Sequence, residues 1–472
     1  MLTKSKFKKF VECPNEFWLD HHFPEPAGKL DLNAQLRRET GYEVESLART
    51  HPIFAARDDV KIEFGKEFQT ETLYAKADVV VTVLATGDIE IYEIKSGTSA
   101  KDEYKLDLAF QFYVATQAGY VVSKACLIFL DNTYIFDGVL DTESLLCISD
   151  ETEAINILNG TIRTDIETAL AFRDGDEPAV TLLDYCKANK LGCRSILKQF
   201  PDIPEYNVSN IFSAGSKKLN TLLEEGILNL CDIPADFKLT DREAAIIEVE
   251  RSGQPYIDRE TILGELNELK FPLQFLDYES FNPGVPKFHR TRPYQQMVFQ
   301  YSLHTLGSEG GELRHSFHLS RNDGRHPSKE IVERLYEDLN GNIGTVIIWS
   351  EGFEKTRNTE LGVMFPEYAD FLAEVNDAVY DLRKVFSRRL YLHPGFRGRD
   401  SIKKVLPVLC PHLPSYDDMD IGDGLTASIK WFHIATGRGT SEEREKTYED
   451  LCAYCHLDTL AMVEIYRHLL SI

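Results

Sequence analysis

FPLQFLDYESFN, residues 271–282, sets the fold of the second half of the chain. An apolar, strand-like run from Leu273 to Leu276 continues into Asp277 and Glu279, two carboxylates two positions apart. In a strand, positions i and i+2 project from the same face. Both acids therefore stand side by side at the end of a strand that otherwise calls for burial. Two like charges placed there repel unless a cation lies between them. The pair is thus half of a candidate divalent-metal site.

The remaining acids of such a site follow in chain order. VIIWSEGFEKT places Glu354 just after a buried strand, near the start of a helix. AYCHLDTLAMVEIY places Tyr454 and Asp458 at i and i+4, on one helical face. Asp458 sits among Leu457, Leu460, Ala461 and Met462, where a lone charge is costly unless paired or ligated.

A second constellation lies in the first half. ADVVVTVLATGDIEIYEIKSG reads as a β-hairpin split by Thr86, Gly87 and Asp88. Glu93 and Lys95 share a face, and the hairpin folds Asp78, fifteen residues before Glu93, back beside it. Two carboxylates and a lysine suit metal-assisted hydrolysis: the acids hold a hard cation, and the lysine orients water and offsets charge on a phosphate. A bare D…ExK is more often an ordinary cross-strand ion pair. Here it precedes a helix carrying Gln111, which favours the functional reading.

The chain has 472 residues, with 43% hydrophobic and 11% aromatic. Two or three domains and sizeable cores are expected. No apolar run reaches membrane-spanning length, and the charged N-terminal segment lacks an apolar stretch, so a cytoplasmic location without a membrane partner is the default expectation. The formal net charge of −24 argues against nucleic acid when taken as a sum. Basic clusters survive locally, at Lys4 to Lys9, in HRTRP (289–293) and in SRRLYLHPGFRGRDSIKK (387–404). Nine cysteines are scattered, and Cys452 with Cys455 forms a CxxC that lacks a second pair. A zinc site is not expected there. DDMDIGDG (417–424) lacks the alternation of an EF-hand loop.

The expected fold is α/β. Residues 1–200 read as mixed α/β, 201–270 as a helical connector without a chemical signal, and 271–472 as a mixed sheet covered by helices.

LTKSKFKKFVECPNEFWL at the N-terminus, TGYEVESLA (40–48), ADVVV (77–81), EIK (93–95) and DLAFQFY (107–113) together resemble a RecB-like member of the PD-(D/E)XK nucleases, related to those of CRISPR adaptation modules. The resemblance implies a restriction-endonuclease-like fold for residues 1–200. It makes Asp78 and Glu93 metal ligands, Lys95 the catalytic lysine and Gln111 a supporting residue, with Tyr113 a weaker correspondence. The helix position that is often histidine in that family falls near Glu45, which becomes a third metal ligand. Relatives often hold an iron–sulfur cluster through four cysteines. Cys13, Cys186 and Cys193 supply three, with Cys231 a distant fourth, so loss of the cluster is the expectation.

DxE, then FE, then YxxxD resembles the DEDDy branch of ribonuclease H-like exonucleases, over residues 271–472. Ala453 rather than His456 occupies the alternative histidine position of that superfamily. The resemblance implies Asp277, Glu279, Glu354 and Asp458 around two Mg2+ or Mn2+ ions, with Tyr454 placing the water. Glu354 stands in place of the usual aspartate, and Ser350 where relatives often have asparagine. RTRPYQQMVFQYSLH and YLHPGFRGRDSIKKVLP also resemble an uncharacterised bacterial family that fuses the two modules. Arg290, Arg292, Arg397, Arg399, Lys403 and Lys404 are candidate phosphate contacts. The expectation is a DNA nuclease with two centres, in DNA repair or antiviral defence. Its rivals are an RNA exonuclease and a nucleic-acid-binding adaptor with one or both centres inactive.

Overall fold

The computed structural model describes residues 1–24, 31–179, 181, 183, 200–213, 215–321, 326–339 and 341–472. The chain divides into two compact units, Met1–Leu228 with Pro283–Gln295, and Asn229–Asn282 with Gln296–Ile472. The expected connector does not stand apart: 201–228 belongs to the first unit and 229–270 to the second. The helical patterns read in that stretch formed, as helices over Lys217–Glu224 and Asp241–Ser252.

The first unit opens with β1 (Leu2–Thr3), α1 (Lys4–Glu12), α2 (Pro14–His22) and α3 (Leu32–Ala48). The strands β2 (Val60–Gln69), β3 (Leu73–Val83) and β4 (Ile89–Ile94) form an antiparallel meander. The expected hairpin is β3–β4, and its turn uses Gly87 at φ 78°, a left-handed conformation that glycine adopts freely. Helix α4 (Asp102–Gln117) crosses over to β5 (Val122–Leu130), parallel to β4. A short α5 (Thr142–Leu145), β6 (Leu146–Asp150), α6 (Thr152–Arg173) and α7 (Lys217–Glu224) follow. The strand order is β1-β3-β4-β5-β6, with β2 also on β3. Val79, Val80, Val81 and Ile91 are all buried because this sheet has a core on each face. Phe7, Ile91, Phe110 and Ile162 pack on one side, and Val44, Val79, Tyr92 and Ile128 on the other.

The second unit begins with α8 (Asp241–Ser252), β7 (Tyr256–Ile257) and α9 (Arg259–Asn267). Then come β8 (Leu273–Phe281), β9 (Met297–Leu306), β10 (Leu313–Leu319), α10 (Pro327–Leu339), β11 (Thr345–Ile348), α11 (Glu351–Met364), α12 (Ala369–Asp377) and β12 (Val379–Asp381). The sheet order is β10-β9-β8-β11-β12, antiparallel along the first three strands and parallel from β8 to β12. The opening stretch, β8, is thus the central strand. Leu276 and Tyr278 face a core with Ile331, Leu335, Leu361 and Leu372. Phe275 faces the other way and meets Tyr466 edge-on.

Then come α13 (Lys384–Ser387), β13 (Tyr391–Leu392), α14 (Ile402–Leu409), α15 (Gly424–Ala435) and α16 (Ser441–Leu470); α15 and α16 pack on the sheet, and α14 packs on α16. Strand β13 pairs with β7 in a separate two-stranded ladder. Helix α16 starts with a capping box: Thr440 Oγ1 accepts from Glu443 N, and Glu443 Oε2 accepts from Thr440 N at 2.7 Å. Such caps contribute about 0.5–2 kcal/mol. No helix among the described residues is long and apolar enough to cross a membrane.

Candidate active sites

In the first unit, the β3–β4 ladder sets Val79 opposite Tyr92, so Asp78 and Glu93 meet one position beyond it. Asp78 Oδ2 accepts from Ile94 N at 2.7 Å. Glu93 is 1% exposed. Its Oε1 accepts from Lys95 Nζ at 2.8 Å and from Lys4 Nζ, and its Oε2 accepts from Gln111 Nε2 at 2.5 Å. Lys95 also donates to Asp107 Oδ2 at 2.5 Å. Asp107 and Gln111 are one helical turn apart on α4, which aims both at the strand end.

The electrostatics separate the two acids. Burial, together with the Glu93 charge, raises the Asp78 carboxyl to about 7. Burial also works against Glu93, but Lys4 and Lys95 overcome it and hold Glu93 at about 2. Burial opposes the Lys95 charge, yet Glu93 and Asp107 keep it protonated above its ordinary range. Lys4 and Asp107 were not assigned a role from sequence. Lys4 lies inside the quoted N-terminal motif, but nothing in its spacing shows which strand it reaches.

The structure places Glu45 differently from the other expected ligands. It is half-buried and pairs with Arg49 Nη2 at 2.6 Å, along α3. Its charge still contributes to raising Asp78. Asp78, Glu93 and Glu45 do not form a tight three-carboxylate group among the described residues. Cys13 is half-buried at the α1–α2 junction, and Cys231 is exposed. Cys186 and Cys193 lie outside the described residues.

The segment 283–295, between β8 and β9 in sequence, belongs to the first unit. Phe136 N donates to Thr291 O at 2.9 Å and Arg290 N to Phe136 O at 2.7 Å. Tyr294 Oη donates to Ser96 O at 2.7 Å, one residue past Lys95. Arg290 and Tyr294 take left-handed φ values of 64° and 57°, which these bonds hold in place. Arg290 and Arg292 are exposed.

In the second unit, oxygens of Asp277, Glu279 and Asp458 all lie within 4.8 Å of one another. Glu279 and Asp458 are both 7% exposed. Burial and mutual repulsion push Asp277 and Glu279 well above the carboxylate range. Burial raises Asp458 to about 6, restrained by hydrogen bonds from Tyr416 and Tyr454 and by the Lys403 charge. Tyr416 Oη donates to Asp458 Oδ1 at 2.6 Å. Cys455 Sγ points at Asp277 Oδ2, 3.7 Å away. Lys403 Nζ stands 5.5 Å from the Tyr416 ring centre and 5.8 Å from that of Tyr454.

Glu354 is 5% exposed and does not join the three-acid group, but its charge raises both Asp277 and Glu279. Burial and the neighbouring Asp381 charge raise Glu354 itself to about 8. Its Oε2 is buried without a hydrogen-bond partner among the described residues. A Cβ on Gly424 would stand 3.3 Å from Glu279 Oε2, so the glycine keeps the backbone of α15 close to that carboxylate without crowding it. Tyr416, Cys455 and Asp381 were not anticipated. No motif marks Tyr416 or Asp381, which reach the site from separate elements, and the CxxC that holds Cys455 gives no sign that it faces Asp277. Of the basic candidates here, Lys403 faces the acids, Lys404 is half-buried, and Arg397 and Arg399 are exposed.

These acids fit hard divalent cations. Several buried carboxylates converge, one carboxylate oxygen is orphaned, and the donor set is all oxygen.

Residues 274–401 match DUF2779, a domain of unknown function. That match includes Asp277, Glu279 and Glu354 and stops before Lys403, Tyr416 and Asp458. The Uncharacterized protein UU173 of Ureaplasma parvum serovar 3 is 24% identical over 219 residues, covering 42% of this chain. The chain spans only 31% of the length of that relative.

Proposed function

We propose that the chain is a metal-dependent nuclease with two hydrolytic centres acting on DNA phosphodiesters. One observation carries this reading: the half-buried carboxylate of Asp277 and the buried ones of Glu279 and Asp458, from a central strand and a long helix, meet within 4.8 Å, without a salt bridge to lysine or arginine among the described residues. Leaving such charges buried and unpaired is costly, and the arrangement becomes favourable when cations enter. The sheet order, with three antiparallel strands followed by two parallel ones, supports a ribonuclease H-like reading of the second unit. The meander, crossover helix and parallel strand around Glu93 and Lys95 support the restriction-endonuclease-like reading of the first.

In the second centre, Asp277, Glu279 and Asp458 would hold Mg2+ or Mn2+, with Glu354 reaching in from α11. Bound ions would lower the pKa of an attacking water and neutralise the leaving 3′ oxygen. Tyr454, one helical turn before Asp458 on α16, would orient water beside that carboxylate. Lys403 adds positive charge beside the acids, where a phosphate would lie. In the first centre, Asp78 and Glu93 would hold the metal. Lys95, kept protonated by Glu93 and Asp107, offsets charge on the phosphate. Lys4 also pairs with Glu93, so a cation held by Glu93 would compete with it for the carboxylate.

The test uses the full chain with Mg2+ or Mn2+ and DNA labelled at either end, single- and double-stranded, beside an RNA control. Shortening of DNA from its 3′ end is expected. Preference for RNA would favour the RNA exonuclease. Failure to cut any substrate would overturn the hydrolytic reading in favour of a binding adaptor.

A further inference from the structure

A second group of ligand-bearing side chains lies in the second unit, outside the carboxylate centre. His304 on β9, His315 on β10 and His456 on α16 each offer a ring nitrogen, and the three nitrogens lie within 4.8 Å of one another. The arrangement is built by the fold. His304 and His315 are direct cross-strand partners in the β9–β10 ladder. Directly opposed residues bring their side chains together on one face. Their rings stack at 4.4 Å, and the His456 ring meets them edge-on at 4.8 and 4.5 Å.

Two of the rings are also held in orientation. His304 Nδ1 is 2.8 Å from Thr459 Oγ1, which leaves its Nε2 free. His315 Nε2 is 2.9 Å from Ser302 Oγ, which leaves its Nδ1 free. The two hydroxyls are 2.7 Å apart, so one polar bridge fixes both imidazoles. Hydrogen bonds to the distal nitrogen are the usual means by which a metal-binding histidine is fixed. Packing of the rings alone would not need their nitrogens to converge. No acidic side chain pairs with these rings among the described residues, so ion pairing does not explain them either.

We propose that His304, His315 and His456 form a binding site for a zinc-class divalent cation, separate from the carboxylate centre. Three imidazole nitrogens favour Zn2+, Co2+ or Ni2+, whereas an all-oxygen set favours Mg2+ or Mn2+. With three protein ligands, the fourth tetrahedral position remains for water or another ligand. The exposed edge of His315 gives it access from solvent. His456 and Asp458 are two residues apart, roughly 200° around a helix of 3.6 residues per turn. The two sites therefore flank α16 on opposite sides, and the ion would tie β9 and β10 to the helix that supplies Tyr454 and Asp458.

The test does not depend on nuclease activity. The full chain, freed of metal with a chelator, is titrated with Co2+ in excess Mg2+, and the visible absorption of tetrahedral Co2+ is recorded. Zn2+ is then added in competition. The proposal expects one tight Co2+, displaced by Zn2+, in the wild type and in Asp277→Asn. It expects at least a tenfold loss of affinity in His315→Ala and His456→Ala. Near-ultraviolet circular dichroism checks folding, and because His315 is exposed, His315→Ala decides the matter if His456→Ala does not fold. Failure of the wild type to bind Co2+, or equal binding by His315→Ala, overturns the site.

Discussion

Replacing Asp277 with asparagine should stabilise the metal-free protein while removing its second activity. Asp277 shares a space within 4.8 Å with oxygens of Glu279 and Asp458. At an effective dielectric of about 20, two unit charges that far apart repel by roughly 3 kcal/mol. Part of this is already relieved by bound protons, since Asp277 and Glu279 titrate far above the usual range and Asp458 at about 6. The residual gain from neutralising Asp277 near pH 7.5 is then about 1–2 kcal/mol, less than the full Coulomb term. For a unit of this size that corresponds to a rise in Tm of about 2–8 °C. Thermal melts in EDTA at low salt measure it. In saturating Mn2+ the order should reverse, because the wild type gains binding energy that the variant cannot. Melting of Asp277→Asn below the wild type in EDTA, or an equal gain from Mn2+ in both, would refute the reasoning.

Three further outcomes are expected. Carboxyls with raised folded pKa values bind more protons in the native state, so their contribution is full below about pH 4 and lost as pH rises through the folded value. Asp458 at about 6, Asp78 at about 7 and Glu354 at about 8 place that loss between about pH 4 and 8, and chemical melts in EDTA should show it, with less loss in saturating Mn2+. Tyr416→Phe removes the 2.6 Å bond to Asp458 and should weaken Mn2+ binding by about 10–100-fold, read by electron paramagnetic resonance. Gln111→Leu takes the donor from Glu93 Oε2 and should cost about 1–3 kcal/mol in urea melts, with products of the first centre reduced and those of the second unchanged.

Local sequence patterns made parts of both centres legible. Asp277 with Glu279, Glu93 with Lys95, and Tyr454 with Asp458 are each set by the period of a strand or a helix, and that period survives any tertiary arrangement. The Thr86–Asp88 turn likewise fixes the hairpin that brings Asp78 to Glu93. Long-range partners were not legible. Lys4 reaches a residue 89 positions away, and Tyr416 one 42 positions away, with no pattern linking either pair. His304 and His315 face each other only because of the register of β9 on β10, and a slip of one residue would turn His315 to the other face. The return of 283–295 to the first unit also escaped, because a segment flanked by two strands of one sheet reads as an ordinary loop.

The decisive measurement is the product pattern from end-labelled DNA with Mn2+, comparing wild type, Lys95→Ala, Asp277→Asn and the double variant. Two working centres predict that each single variant loses a different set of products and that the double variant is inert. Cleavage by the double variant at the wild-type rate would contradict the assignment of hydrolysis to these two sets of residues.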